Sequence, residues 1–126
     1  MGLAFLLVLL GLGCLFLAYR EQEPFQAIKV KGEALQKLVV QETGSQEADP
    51  MERTIDFAAL QRINPEIVGW LYVPQIGVDS PILTGQTDTE YLTKYFEGAY
   101  SPLGSIFTFA GARISDSQVY LFAHNM

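Results

Sequence analysis

The sequence predicts a mainly β domain with short helices, preceded by a transmembrane helix. Three observations predict it: an uncharged apolar run at the N-terminus, a charge-rich stretch after it, and, beyond Asp56, short alternating apolar segments separated by turns that contain Gly and Pro.

From Met1 to Tyr19 no side chain is charged, and Arg20, Glu21 and Glu23 end the run. As a helix those residues span about 28 Å, close to the roughly 30 Å hydrocarbon layer of a bilayer. A cleaved signal peptide is the rival reading. It requires a basic leading segment, a shorter apolar core and small residues at its exit, where this chain has Phe16-Leu17-Ala18-Tyr19. Gly11-Leu12-Gly13-Cys14 has the outline of a lipoprotein cleavage site, yet Leu15, Phe16 and Leu17 continue the apolar run past it, so Cys14 reads as a lipid-facing or helix-packing residue. No Lys or Arg precedes the run and Arg20 is offset by Glu21 and Glu23, so charge leaves the orientation open; the bulk of the chain on the C-terminal side favours that side outside.

From Arg20 to Asp56 the chain carries five basic and eight acidic side chains, against nine charges over residues 57–126. Within that stretch Ile28, Leu35, Leu38 and Val39 fall near one helical face, and residues 43–50 (TGSQEADP) read as a solvated linker. The composition divides the chain into a transmembrane signal-anchor helix over 1–19, a stalk and linker over 20–54, and a folded domain over 55–126.

In the domain, Asp56 is an N-cap for a helix with Phe57, Leu60 and Ile63 on one face, and Asn64-Pro65 starts a second short helix that Gly69 closes. Trp70 to Pro74 and Val78 to Leu83 read as strands joined by a turn at Gln75-Ile76-Gly77, with Pro74 and Pro81 placing them at edges or ends. Thr87 and Glu90 have capping-box spacing, predicting a helix to about Phe96 with Tyr91, Leu92, Tyr95 and Phe96 as its buried stripe. Gly98 ends it. Ser105 to Phe109 alternates as a strand, Gly111 to Ser117 is a polar connection, and Gln118 to His124 is a last strand with the sequence's one histidine at its end.

Composition removes several function classes. Eight Lys+Arg against fourteen Asp+Glu leave no basic excess for a phosphate backbone, so no nucleic acid is expected as partner. One Cys and one His supply neither a disulfide nor a zinc site, and Asp79, Asp88, Glu90 and Asp116 lack calcium-loop spacing, so no metal or cofactor is expected. Trp70, Tyr72, Tyr91, Tyr95 and Phe96 read as core. Ser105 lacks the G-x-S-x-G setting of a hydrolase nucleophile.

Ile55-Asp56-Phe57-Ala58-Ala59-Leu60, then Ile63-Asn64-Pro65-Glu66-Ile67-Val68-Gly69-Trp70-Leu71, Tyr91-Leu92, Gly104-Ser105-Ile106-Phe107 and His124-Asn125-Met126 follow one another in an order and spacing that resemble the N-terminal half of a class B sortase. The resemblance covers residues 55–126 and implies part of a sortase-type eight-stranded β-barrel on the outer face of a Gram-positive cell membrane. It implies a cysteine transpeptidase that cleaves the sorting-signal peptide of surface proteins and joins the freed carboxyl to a peptidoglycan or pilin amine. Membrane lipid would surround its anchor.

Such enzymes use a Cys thiolate as nucleophile, a His as general acid/base and an Arg at the oxyanion. Carried over residue by residue, only the histidine finds its match, in His124. No nucleophile is assigned, because Cys14 lies in the membrane segment, and Arg113, in a loop before the His strand, matches no catalytic position. Ala123 stands where the family commonly has Gly before this histidine. A last strand with two apolar faces would leave an exposed edge, so the expectation is a truncated sortase without turnover of its own. The alternative is a non-catalytic, membrane-anchored interaction module that recruits a peptide along its β-edge.

Overall fold

The computed structural model describes residues 2–41 and 52–124, and the chain divides into two compact units, Met1–Glu33 and Ala34–Met126. The linker read over residues 43–50 lies outside the described residues, as do Asn125 and Met126 of the terminal motif.

One helix, α1, runs from Gly2 to Val39. It does not stop at Tyr19 but continues through Pro24 and Gly32, and Gln26, Ala27, Lys29, Lys31, Glu33, Ala34 and Leu35 are good helix formers in its later turns. In the first unit, Leu6, Leu9, Leu12, Phe16 and Leu17 are all more than half exposed. By length and composition α1 is able to cross a membrane.

The second unit begins with the last turns of α1, whose Leu35 and Val39 are buried in its core. These positions fall in the segment read as stalk. A two-residue strand β1 (Val40–Gln41) pairs antiparallel with β2 (Thr54–Ile55), and Asp56 N donates to Val39 O, which brings the start of the next helix against the end of α1. That helix, α2, covers Phe57–Ile63; Asp56 caps it as its sequence predicts, Oδ1 accepting from Ala59 N at 2.9 Å. The buried face is Ala59 and Leu60, with Phe57 and Ile63 at its exposed margins.

A three-stranded sheet follows in the order β3 (Ile67–Val73), β4 (Val78–Thr84), β5 (Ile106–Thr108). β3 and β4 are antiparallel, with Trp70 opposite Pro81 and Val73 opposite Val78, and β4 and β5 are parallel, with Leu83 opposite Phe107. The hairpin turns through a 3-10 turn at Pro74–Ile76 and a left-handed Gly77 at φ 69°. β4 is the central strand, and Pro81 is accommodated there because β5 joins only from Ile82 onward. Ile67, Leu83 and Phe107 from the sheet meet Leu60, Val39, Leu35, Tyr91 and Phe96 in one core.

Within the domain the structure differs from the sequence reading in four places. No second helix starts at Asn64-Pro65. Asn64 instead ends α2, its N–H donating to Leu60 O, and Ile67 already pairs with Leu83 in the sheet. Gly69 is buried inside β3 rather than closing a helix; a Cβ there would lie 2.9 Å from Ile114 Cγ1. The predicted helix over residues 87–96 is reduced to a 3-10 turn at Glu90–Leu92.

Backbone groups beyond that turn bond elsewhere. Thr93 O accepts from Ser101 N, Tyr95 N donates to Ala99 O, and Phe96 O accepts from the Asn64 side chain, so the chain forms a hairpin-like return bridged at Lys94 and Tyr100. The last predicted strand is represented by one antiparallel bridge, Phe122 to Phe107, with both N–H···O bonds made.

Candidate active site

Glu66 and Asn64 belong to the turn between α2 and β3. Asn64 Oδ1 accepts from Glu66 N at 2.9 Å, which folds the Asn-Pro-Glu turn back on itself and aims both side chains at the 3-10 turn. There, Asn64 Nδ2 donates to the Tyr91 hydroxyl at 2.8 Å and to Phe96 O at 2.7 Å, and the Tyr91 hydroxyl donates to Glu66 Oε2 at 2.5 Å. Tyr91 is 2% exposed. Burial, reinforced by the neighbouring Glu66 carboxylate, pushes its phenol well above the ordinary range, so the hydroxyl keeps its proton and remains a donor.

The Gly-Ser-Ile-Phe segment docks on the same turn. Ser105 N donates to Tyr91 O at 3.0 Å, Ser105 Oγ donates to Lys94 O at 2.9 Å, and Gly104 sits in the left-handed region at φ 59°. A Cβ on Gly104 would come within 2.6 Å of Tyr91 O, and only glycine has neither that atom nor the strain of that φ. The Ser105 hydroxyl is committed to a carbonyl, in keeping with its reading as a strand start. β5 leads from this turn to Phe107, whose ring stacks on Phe122 with centroids 5.6 Å apart, and the Phe122 bridge carries the chain to His124.

His124 is exposed, and its Nε2 lies 2.6 Å from Leu92 O, the carbonyl that ends the 3-10 turn. Thus three separate stretches of the sequence, Asn64-Pro65-Glu66, Tyr91-Leu92 and Gly104-Ser105, build one platform against which the single histidine rests. Sequence reasoning placed His124 at the end of its strand and took Tyr91 as core; it missed the hydrogen bonds of Tyr91 and the Leu92 carbonyl. The Asn-Pro-Glu turn was the available signal, since a buried Asn needs several partners.

An imidazole in this setting can exchange a proton with a reacting group but cannot by itself form an acyl intermediate. Cys14 is an exposed residue of α1 in the first unit. Arg113 is exposed, its backbone N–H bonded to Asp116 Oδ2 at 2.8 Å. A second polar cluster lies in the second unit, where Arg53 makes a two-pronged pair with Asp79 at 2.7 and 3.1 Å, Trp70 Nε1 donates to Asp79 Oδ1 at 2.8 Å and Arg53 stacks on Tyr72. All its charges are mutually satisfied, which suits a structural tie between β2 and the hairpin.

Comparison with known proteins bears on this arrangement. Sortase B of Staphylococcus aureus is 39% identical over 51 residues, which are 40% of this chain and 21% of that protein. The crystal structure of sortase B from Bacillus anthracis in complex with AAEK1 has a TM-score of 0.65 at 26% identity, covering 82% of this chain and 49% of that one. A Streptococcus pyogenes class B sortase involved in pilus biogenesis has a TM-score of 0.51 at 34% identity, covering 56% of this chain and 40% of that one. The chain thus spans less than half the length of each of these relatives, and no protein-family model matches it. Sequence identity and fold agree on one kinship: this chain is class B sortase-like.

Proposed function

We propose that this chain is the histidine-bearing part of a class B sortase-type cysteine transpeptidase, anchored in the membrane by α1, with His124 as general acid/base. The observation that carries the reading is the seat of His124. It closes the strand path from Gly104 through β5 and Phe122 and rests on the Leu92 carbonyl, beside the Tyr91-Leu92 and Gly-Ser-Ile-Phe segments that resemble the family.

The reaction would cleave the sorting-signal peptide of a surface protein and pass its carboxyl to a peptidoglycan or pilin amine. Its thiol would come from outside these 126 residues, since the only cysteine belongs to the apolar helix. On this reading the three-stranded sheet is part of a larger barrel, the second unit lies outside the cell, and membrane lipid surrounds the apolar part of α1.

The test is a peptide-cleavage assay on the chain alone, paired with membrane fractionation. The expected result is a membrane-bound protein without turnover; cleavage lost in His124→Ala would reveal a nucleophile within the chain and overturn the assignment. One observation favours a second, non-catalytic reading. Around the Phe122 bridge, Phe109, Tyr120 and Phe122 form an exposed aromatic cluster, Phe109 lying 5.9 Å from Tyr120 and 4.9 Å from Phe122 between ring centroids, suited to apolar contact with a partner peptide.

A further inference from the structure

We propose that the Leu92 carbonyl fixes His124 as the Nε2–H tautomer and that Tyr91 is the residue that positions this carbonyl. The inference rests on the reading of His124 as the base and names the nitrogen that would act. A carbonyl oxygen only accepts, so at 2.6 Å the Nε2 of His124 is the donor and carries the proton. In the neutral ring the lone pair then resides on Nδ1, which is the nitrogen left to exchange a proton with a reacting group.

The acceptor is the more firmly held of the two partners. His124 is exposed and lies two residues beyond the last bridge of the sheet, whereas residues 91–93 are held on every side. Leu92 N donates to Thr89 O, Tyr91 O accepts from Ser105 N, and Thr93 O accepts from Ser101 N. Gly104 packs so closely that a Cβ there would be 2.5 Å from Leu92 O. Beneath this tract the Tyr91 ring is clamped through its hydroxyl, which accepts from Asn64 and donates to Glu66.

A carbonyl so pinned cannot turn to follow the imidazole; the imidazole adopts the tautomer and ring orientation that meet it. Tyr91 acts through the peptide plane that follows it, as a positioning residue.

The chain's single histidine makes the test direct. The full chain, labelled with nitrogen-15 histidine in detergent micelles, is examined above the imidazole titration beside a blocked histidine peptide as the unconstrained reference. The expected spectrum shows the Nε2–H form in several-fold excess over the reference ratio. Tyr91→Phe returns the ratio toward the reference, whereas Glu66→Gln, which keeps an oxygen for the phenol, preserves the excess. A wild-type ratio equal to the reference overturns the proposal even if Tyr91→Phe fails to fold. An excess unchanged in folded Tyr91→Phe removes Tyr91 from the positioning role. No turnover enters the readout, so failure of the sortase reading would appear in peptide cleavage and failure of this inference in the nitrogen spectrum.

Discussion

Gly104 lies directly against the Leu92 carbonyl: a Cβ on Gly104 would be 2.5 Å from that oxygen, inside any permitted contact. This close approach allows the Gly-Ser-Ile-Phe strand to start beneath the 3-10 turn and fixes the height of the carbonyl on which His124 rests.

Gly104→Ala should destabilise the second unit by about 1–2 kcal/mol for the left-handed backbone alone, and by more because backbone oxygens cannot move aside as a side-chain tip can. Gly98→Ala is the control. Gly98 is also left-handed, at φ 87°, but has nothing within 4 Å of its Cβ position, so it should show the conformational cost alone. Denaturant midpoints of the two variants check the difference; equal losses would contradict the packing argument.

Asp79→Ala strips Arg53 of both its carboxylate contacts and Trp70 of its acceptor, and should cost about 1.5–3 kcal/mol, the range for hydrogen bonds to charged groups. Asp79→Asn, which keeps an oxygen for one donor, should cost less. Trp70 is the sequence's one tryptophan, so its fluorescence reports both the unfolding curve and the lost contact. The Asp79 hydrogen bonds hold the Arg53 guanidinium charged beyond its ordinary range, so the Arg53 side of this tie stays charged as pH rises.

Alkaline pH should weaken the second unit from about pH 10 upward. Burial, with a smaller push from Glu97, raises the Tyr95 phenol to about 12, and Tyr91 is raised further by its burial and by Glu66. A group whose folded value is raised contributes stability that is full below its unfolded value, near 10, and is lost as pH climbs through the folded value. Phenolate absorbance followed with pH should show a late component near 12 that Tyr95→Phe removes, and a later one that Tyr91→Phe removes.

At the acidic end, Glu90 is held below the ordinary carboxylate range, first by Lys94 and then by the Gln86 N–H. Its contribution is present above the unfolded carboxylate value and is lost as pH falls through the lowered one. Glu90→Gln should flatten this part of the pH-stability curve while changing neutral-pH stability only slightly, since exposed pairs contribute little.

How far the fold was legible depends on the range of the forces involved. The Asp56 cap was readable because its partner is Ala59, three residues away, and the hairpin because Pro74 and Gly77 impose their own backbone angles. The helix expected over residues 87–96 failed for the opposite reason: its carbonyls are claimed by Asn64, 32 residues distant, and by the return strand near Ser101, which local propensity does not register. Asn64-Pro65 has the pattern of a helix start, but the Asn side chain is recruited by Tyr91 and Phe96 instead. At the site, His124 was legible as the one histidine ending an alternating segment. Its acceptor was not, because a main-chain carbonyl such as Leu92 O carries no signature in the side chains.

On the proposed function, His124 would serve a thiol supplied by a second polypeptide. The most direct measurement mixes this chain with a separately produced, cysteine-bearing C-terminal half of Staphylococcus aureus sortase B and follows cleavage of a sorting-signal peptide. Cleavage that neither half gives alone is expected, falling about 10²-fold or more in His124→Ala, the scale of general acid/base assistance. Cleavage that appears on mixing but is indifferent to His124→Ala would contradict it.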